Sequence, residues 1–329
     1  MTDKGEDAKG SKGRHCKQPI LSPPFRTHKH HLAANPLAME KTLSKRAPSR
    51  DPLRDWFPTA KISEGRWSLL LRARPANAPL SDAAGFALRL LRAPAREGSF
   101  VHRRLSQELA VSHLVRHPSL LRVVDSELHG AHPFLVTPYV EGNSLVKWLQ
   151  SPLAIPLGLA SWIARQVSEA LAAMHEAGLR HGNVQPSKIF CDSQGQTFLV
   201  GLGSAMPLGA LASGEDLSIN PVYAAPEQFR FGAEAQGASD VYSLGVVLFE
   251  LLAKRPPFLA SNGEELMAMH QLAPVPELRS FAPGVPFYLG ALVRRMLAKD
   301  PLRRPDAEEV AKFLCDFEIS SFRDWSTAA

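Results

Sequence analysis

The feature that most constrains this chain is the run at 241–252, ValTyrSerLeuGlyValValLeuPheGluLeuLeu, opened by Ser239-Asp240. A helix that is apolar on every side has no face for water, so it must stand in the centre of a helical domain. The helices needed to surround it are legible. After Glu141-Gly142-Asn143 the chain turns helical, and Trp162, Ile163, Val167, Ala170, Leu171 and Met174 recur at three and four, as one buried face does. Leu289, Leu292, Val293, Met296 and Leu297 form a further amphipathic helix, and 306–317 a last one.

The segment before this helical unit reads differently. Ordered structure is expected from about Trp56. The runs 68–73, 85–91 and 133–137 are strand-sized and bounded by Pro, Gly, Ala or charge. One helix is expected over 100–116, with Leu105, Leu109, Ser112 and His113 on one face and the breaker His117-Pro118 at its end. A small strand-rich unit (55–140) followed by a larger helical one (141–320) is an α+β arrangement in two lobes. Residues 1–54 and 321–329 are read as tails.

Charge separates the first tail from the body. Residues 1–52 carry eleven Lys/Arg against five Asp/Glu, whereas the remaining 277 carry 27 of each sign, so the formal +6 belongs to the tail. Its Lys, His, Pro, Gly and Ser cannot bury enough apolar surface to offset ordering entropy, and disorder is expected. It suits either a solvated extension or weak contact with nucleic acid, anionic lipid or an acidic partner. The cluster His28, Lys29, His30 and His31 lacks partner ligands on a scaffold and reads as part of this basic tail rather than as a metal site. Cys16, Cys191 and Cys315 have no CxxC spacing, so neither a disulfide framework nor a zinc site is implied. Residues 1–10 lack the apolar core of a signal peptide, and no stretch reaches 18 apolar residues; a cytoplasmic protein without a membrane span is the expectation.

Four stretches, in order, resemble landmarks of the protein kinase family. LeuArgHisGlyAsnValGlnProSerLysIlePhe (179–190) resembles the catalytic loop, and TyrAlaAlaProGluGln (223–228) the end of the activation segment. SerAspValTyrSerLeuGly (239–245) is similar to the helix anchoring the larger lobe, and LeuAlaLysAspProLeuArgArgPro (297–305) to the closing motif. GlyValPro (284–286) and MetLeuAlaLysAspPro (296–301) give a flavour most like bacterial Ser/Thr kinases. The resemblance implies a bilobal kinase-like fold with a β-rich small lobe carrying one main helix, and a larger helical lobe. It implies an Arg304–Glu227 ion pair, and Asp240 tying down the catalytic-loop backbone beside His181.

Phosphoryl transfer needs positioning and charge neutralisation more than covalent chemistry, and the groups that supply these are the ones that depart from the family pattern. Ser63, Gly65 and Ser68 fall where three glycines are usual, so only Gly65 allows close backbone approach to phosphate. PheAlaLeuArg (86–89) puts Arg89 in the place of the strand lysine, beside Ala87. Glu108 is its expected helix partner, in a link that is either structural or phosphate-binding. Asn183 takes the base position, where a neutral amide cannot accept a proton near pH 7. Gly182 replaces the arginine that normally grips a phosphate on the activation segment, which argues against a phosphorylation switch there despite Ser204, Ser213 and Ser218. Lys188 stands at the metal-binding asparagine and Gly201 at the metal-binding aspartate, and neither offers an oxygen ligand.

Relative to the family, Asn183, Lys188 and Gly201 each add one positive unit and Gln185, in place of a lysine, removes one, a net +2 over these four, the charge of one Mg²⁺. Lys188 and Arg89 are thus read either as drift in an unused cleft or as a metal-free anion or nucleotide site. Tyr139 and Val140, in a family-like hinge after Thr137, leave room for an adenine-shaped pocket. The resemblance thus implies a pseudokinase: a protein-binding or regulatory module whose partner is an active kinase or a kinase substrate. It requires no cofactor, does not expect Mg²⁺, and has at most weak ATP binding. The alternative is an active but atypical Ser/Thr kinase.

Overall fold

The computed structural model describes residues 52–79, 84–92, 96–129, 132–211, 220–230 and 232–327. Nearly all of the basic tail, with its histidine cluster and Cys16, and also Ser213 and Ser218, lie outside the described residues.

A short 3-10 turn, Pro52–Asp55, begins the described chain inside the span read as tail. Five antiparallel strands follow: β1 (Trp56–Glu64), β2 (Ser68–Pro75), β3 (Phe86–Leu91), β4 (Asp125–Glu127) and β5 (Phe134–Pro138), in the order β1-β2-β3-β5-β4. The edge strands β1 and β4 are joined by a hydrogen bond from the Trp56 indole Nε1 to Asp125 Oδ2, 2.6 Å, so the sheet curls round a small core of Trp56, Ala73, Leu88, Phe134 and Val136.

Helix α1 (Phe100–Leu114) lies on this sheet. The Ser99 hydroxyl accepts the His102 N–H at its start, and an extended Val115 ends it just before His117-Pro118. Its buried face is His102, Leu105, Glu108, Val111 and Ser112; His113, expected on that face, points to solvent. Of the expected face Leu105 and Ser112 are buried, and Val111 joins them in place of His113.

The larger lobe does not turn helical at once. A short strand β6 (Gly142–Ser144) precedes α2 (Leu145–Gln150) and pairs with β8 (Ile189–Asp192), which pairs in turn with β9 (Thr197–Leu199). Helix α3 (Leu157–Glu176) leads to β7 (Leu179–Arg180), whose partner is β10 (Met206–Pro207). Helices α4 (Gly237–Ala253), α5 (Gly263–Leu272), α6 (Phe287–Met296) and α7 (Ala307–Thr327) complete the lobe. As the opening run requires, α4 is buried all round, with Tyr242 and Phe249 fully enclosed. Helix α7 continues to Thr327, so most of 321–329 is helix rather than tail. No described helix is long and apolar enough to cross a membrane.

Candidate functional site

The loop at 181–188 is held from below by Asp240, in the first turn of α4. Its carboxylate is fully enclosed and accepts the His181 N–H at 2.7 Å, the Gly182 N–H at 2.8 Å and His175 Nε2 at 3.0 Å. Burial alone would raise this carboxyl, but the donors, His175 foremost, outweigh it and hold it below the usual range. The His181 ring bridges Val200 O at 3.2 Å and the Asn183 N–H at 3.3 Å. A ring that accepts the Asn183 N–H at Nδ1 and donates from Nε2 to Val200 O is the neutral tautomer, and burial pushes its pKa down.

Above this anchor, the position that carries a base in the family is filled by amides. Asn183 Oδ1 accepts from Gln185 Nε2 at 2.6 Å, and Gln185 Oε1 accepts from Asn220 Nδ2 at 3.2 Å. The chain Asn183–Gln185–Asn220 is neutral throughout and links the loop to the segment leading into Tyr223. Asn220 was not foreseen from the sequence, since nothing in local spacing brings 185 and 220 together.

Across the cleft, Arg89 on β3 reaches Glu108 on α1 at 2.5 Å, so the expected sheet-to-helix pair is made. One turn earlier on α1, Arg104 donates to Ser204 Oγ at 2.5 Å and to Gly203 O at 3.3 Å. Helix α1 is thereby tied both to the sheet and to the 3-10 turn Leu202–Ser204. Arg104 stands four residues before Glu108, on the same helix face, which is the signal that would have marked it.

Lys188 and Gly201 are in contact. Gly201 is left-handed (φ 90°, ψ 37°), and a Cβ there would lie 3.2 Å from Lys188 Cδ and 3.6 Å from its Nζ. The lysine stem therefore lies across the backbone of residue 201, in space that a side chain at that position would need. Lys188 Nζ makes no hydrogen bond or ion pair within the described residues. Burial, with Arg89 and Arg104 nearby, pushes its pKa down, against the smaller pull of Glu108. An ammonium donates but does not ligate, and a glycine has no side-chain oxygen for a metal. Neither of these two positions offers a side-chain oxygen to Mg²⁺.

The rest of the cleft is partly committed to internal bonds. Ser63 and Ser68 sit in paired strands opposite Leu70 and Leu91, so only Gly65-Arg66-Trp67 form the β1–β2 turn. The Gly65 N–H is already bonded to Ser68 O at 2.9 Å, and the Arg66 guanidinium covers the Trp67 ring at 4.6 Å. Ala87 is buried opposite Thr137. At the hinge, the Tyr139 N–H bonds Gly85 O at 2.8 Å, and Arg72 stacks on the Tyr139 ring while pairing with Glu141 at 2.7 Å. Val140 O accepts from the Gly142 N–H at 2.9 Å. The Val140 N–H has no partner among the described residues.

In the larger lobe Arg304 grips Glu227 through two bonds, 2.7 and 2.8 Å, with a third donor to that carboxylate from Ser239 Oγ at 2.6 Å. The Arg304 side chain is completely buried and also donates to Ala298, Ala238 and Lys299 carbonyls. Desolvation opposes ionisation of Glu227, yet Arg304 more than compensates and its pKa is lowered.

The model of the protein kinase domain family matches residues 81–313. The chain therefore belongs to the protein kinase superfamily, and the strand-rich small lobe and helical large lobe are its bilobal fold. Among curated proteins it is similar to serine/threonine-protein kinase pkn2 of Myxococcus xanthus, 33 % identical over 223 residues, 64 % of this chain and 26 % of that protein. Serine/threonine-protein kinase PknL of Mycobacterium bovis is 31 % identical over 272 residues, 78 % of this chain and 65 % of that protein. PrkC of Bacillus subtilis, also named a serine/threonine-protein kinase, is 29 % identical over 226 residues, 68 % of this chain and 35 % of that protein. The chain thus spans less than two thirds of each of these relatives.

Proposed function

We propose that this protein is a pseudokinase, a protein-binding or regulatory signalling module with the kinase fold and without efficient phosphoryl transfer. One observation carries the reading: the Lys188 stem lies across Gly201, so the two positions that would hold Mg²⁺ present a cation and a bare backbone. The neutral Asn183–Gln185–Asn220 chain supports it, because the base position itself carries an amide that cannot accept a substrate proton. The Asp240 and Arg304–Glu227 anchors suit a stable platform for a partner of the signalling class, an active kinase or a kinase substrate.

Nucleotide binding is a separate question from nucleotide chemistry. The Val140 N–H is a donor for an adenine ring, while Lys188 and Arg89 supply charge where a polyphosphate would lie. We therefore propose at most weak ATP binding that needs no metal. The names of the relatives favour the other reading, an active but atypical Ser/Thr kinase, as does the intact Arg89–Glu108 pair.

Thermal unfolding of the full chain with ATP, in Mg²⁺ and in EDTA, separates the two. A ligand at a hundredfold over its dissociation constant stabilises by about 2.7 kcal/mol. A shift that persists in EDTA and shrinks in Lys188→Ala is the expected outcome. A shift that requires Mg²⁺ speaks for the active kinase.

A further inference from the structure

We propose that the groove along α6 docks a partner protein through an acidic segment that carries an aromatic or aliphatic side chain between its carboxylates. The inference rests on the protein-binding part of the reading above and gives it a surface and a partner chemistry. It holds whether or not the nucleotide cleft transfers phosphate.

The groove is open, about 400 Å³ in volume, and built wholly from 277–303. Phe287, Gly290, Ala291 and Ala298 form its apolar part. Helix α6 turns Leu289, Leu292, Val293 and Met296 into the core, as an amphipathic helix should. Phe287 is not used in that way. Its neighbour Tyr288 packs on the Phe313 and Phe317 rings, whereas Phe287 stands 72 % exposed on the groove wall. At Gly290 a Cβ would approach nothing outside α6 closer than Glu277 Oε1, at 3.8 Å. Packing therefore does not call for glycine there, and the space beside it is open to a side chain from another molecule.

Charge decides what that molecule is. Arg294, Arg295 and Arg303 line the groove against the single carboxylate of Glu277, a local +2 in a body whose 27 basic and 27 acidic residues cancel. Basic residues in a last turn suit the helix dipole, which accounts for Arg294 and Arg295 but not for Arg303 or the bare Phe287. Arg294 and Arg295 are exposed and have no ion pair or hydrogen bond among the described residues. Arg303 reaches only Asp300, at 3.6 Å, with both side chains exposed. Guanidinium groups beside an apolar patch grip carboxylates through paired bonds while an aromatic or aliphatic side chain fills the centre. The basic tail of this chain has the wrong sign to cover such a groove, and a second copy brings a body of no net charge. Glu277 repels a nucleic-acid backbone, whereas it can accept from the N–H groups that a polypeptide carries.

Fluorescence anisotropy of the full chain tests this with labelled peptides that set Phe, Leu or Trp between Asp and Glu residues. The controls are the same peptides with Lys for the acids, the same peptides with Ala at the centre, and a single-stranded oligodeoxynucleotide. The acidic peptides with a large central residue are expected to bind best, and less tightly as salt is raised. Arg294→Glu, Arg295→Glu and Phe287→Ser should each weaken binding about tenfold. Lys61→Glu, the same charge change on β1, should leave it unaltered. All four side chains are exposed, so each variant should keep close to the wild-type Tm. No binding, an equal loss in Lys61→Glu, indifference to Phe287→Ser and to the central residue, or tighter binding of the oligodeoxynucleotide would overturn the proposal. So would a wild-type dimer in sedimentation that Phe287→Ser dissolves, because a second copy then covers the groove. Each of these results strikes the docking surface alone, since the loss of phosphoryl transfer is read by a separate assay of the cleft.

Discussion

Replacing Gly201 by alanine probes the contact on which the reading of the cleft turns. The left-handed backbone at this residue costs a non-glycine about 1–2 kcal/mol. The added Cβ would also come within 3.2 Å of Lys188 Cδ, closer than ordinary contact, so the lysine stem must move. Because that stem is flexible, the steric part is smaller, on the order of 0.5–1 kcal/mol, as for other coupled neighbours. The total, about 1.5–3 kcal/mol, corresponds to a fall in Tm of roughly 3–12 °C in a domain of this size. A double-mutant cycle with Lys188→Ala, read by urea unfolding, separates the two parts. The backbone cost should survive in the Lys188→Ala background and the steric part should vanish. If Gly201→Ala is neutral in both backgrounds, residue 201 is not held left-handed. If the two changes add without coupling, Lys188 does not lie over it.

Two other outcomes follow from buried charge. Arg304→Met or Glu227→Gln breaks an enclosed, bidentate pair and should destabilise by about 3–5 kcal/mol, while the double variant should recover part of the loss; chemical denaturation checks both. For Lys188 the folded pKa is depressed, so below its ordinary 10.5 the unfolded chain binds more protons at this site than the folded one. Raising the pH toward that value should therefore stabilise the wild type relative to Lys188→Met, and lowering it should do the reverse; Tm measured across pH 7–10 for the pair reads the difference directly.

What the sequence disclosed depended on how local each signal was. Helix α4 was legible because a helix without a polar face has one place to go. The Arg304–Glu227 pair and the Asp240 anchor were legible through motifs that carry their own spacing. The strands β4, β6, β7 and β10, of two or three residues each, were not, because such runs have no periodicity to read. His113 was placed on the wrong side of α1 because one histidine does not define a face. The contacts that give the cleft its chemistry, Lys188 over Gly201, Arg104 on Ser204 and Asn220 on Gln185, join residues brought together by the tertiary fold. The residues that depart from the family pattern could be read in the chain; that Lys188 and Gly201 pack against one another could not.

Transfer of labelled γ-phosphate from ATP tests the central claim most directly. The full chain is assayed with Mg²⁺ against itself and a general protein acceptor, beside Asn183→Ala. The pseudokinase reading predicts incorporation no greater than that of Asn183→Ala. Mg²⁺-dependent incorporation well above that of the variant, and lost in it, would contradict the reading and make this protein a kinase that transfers phosphate through amides.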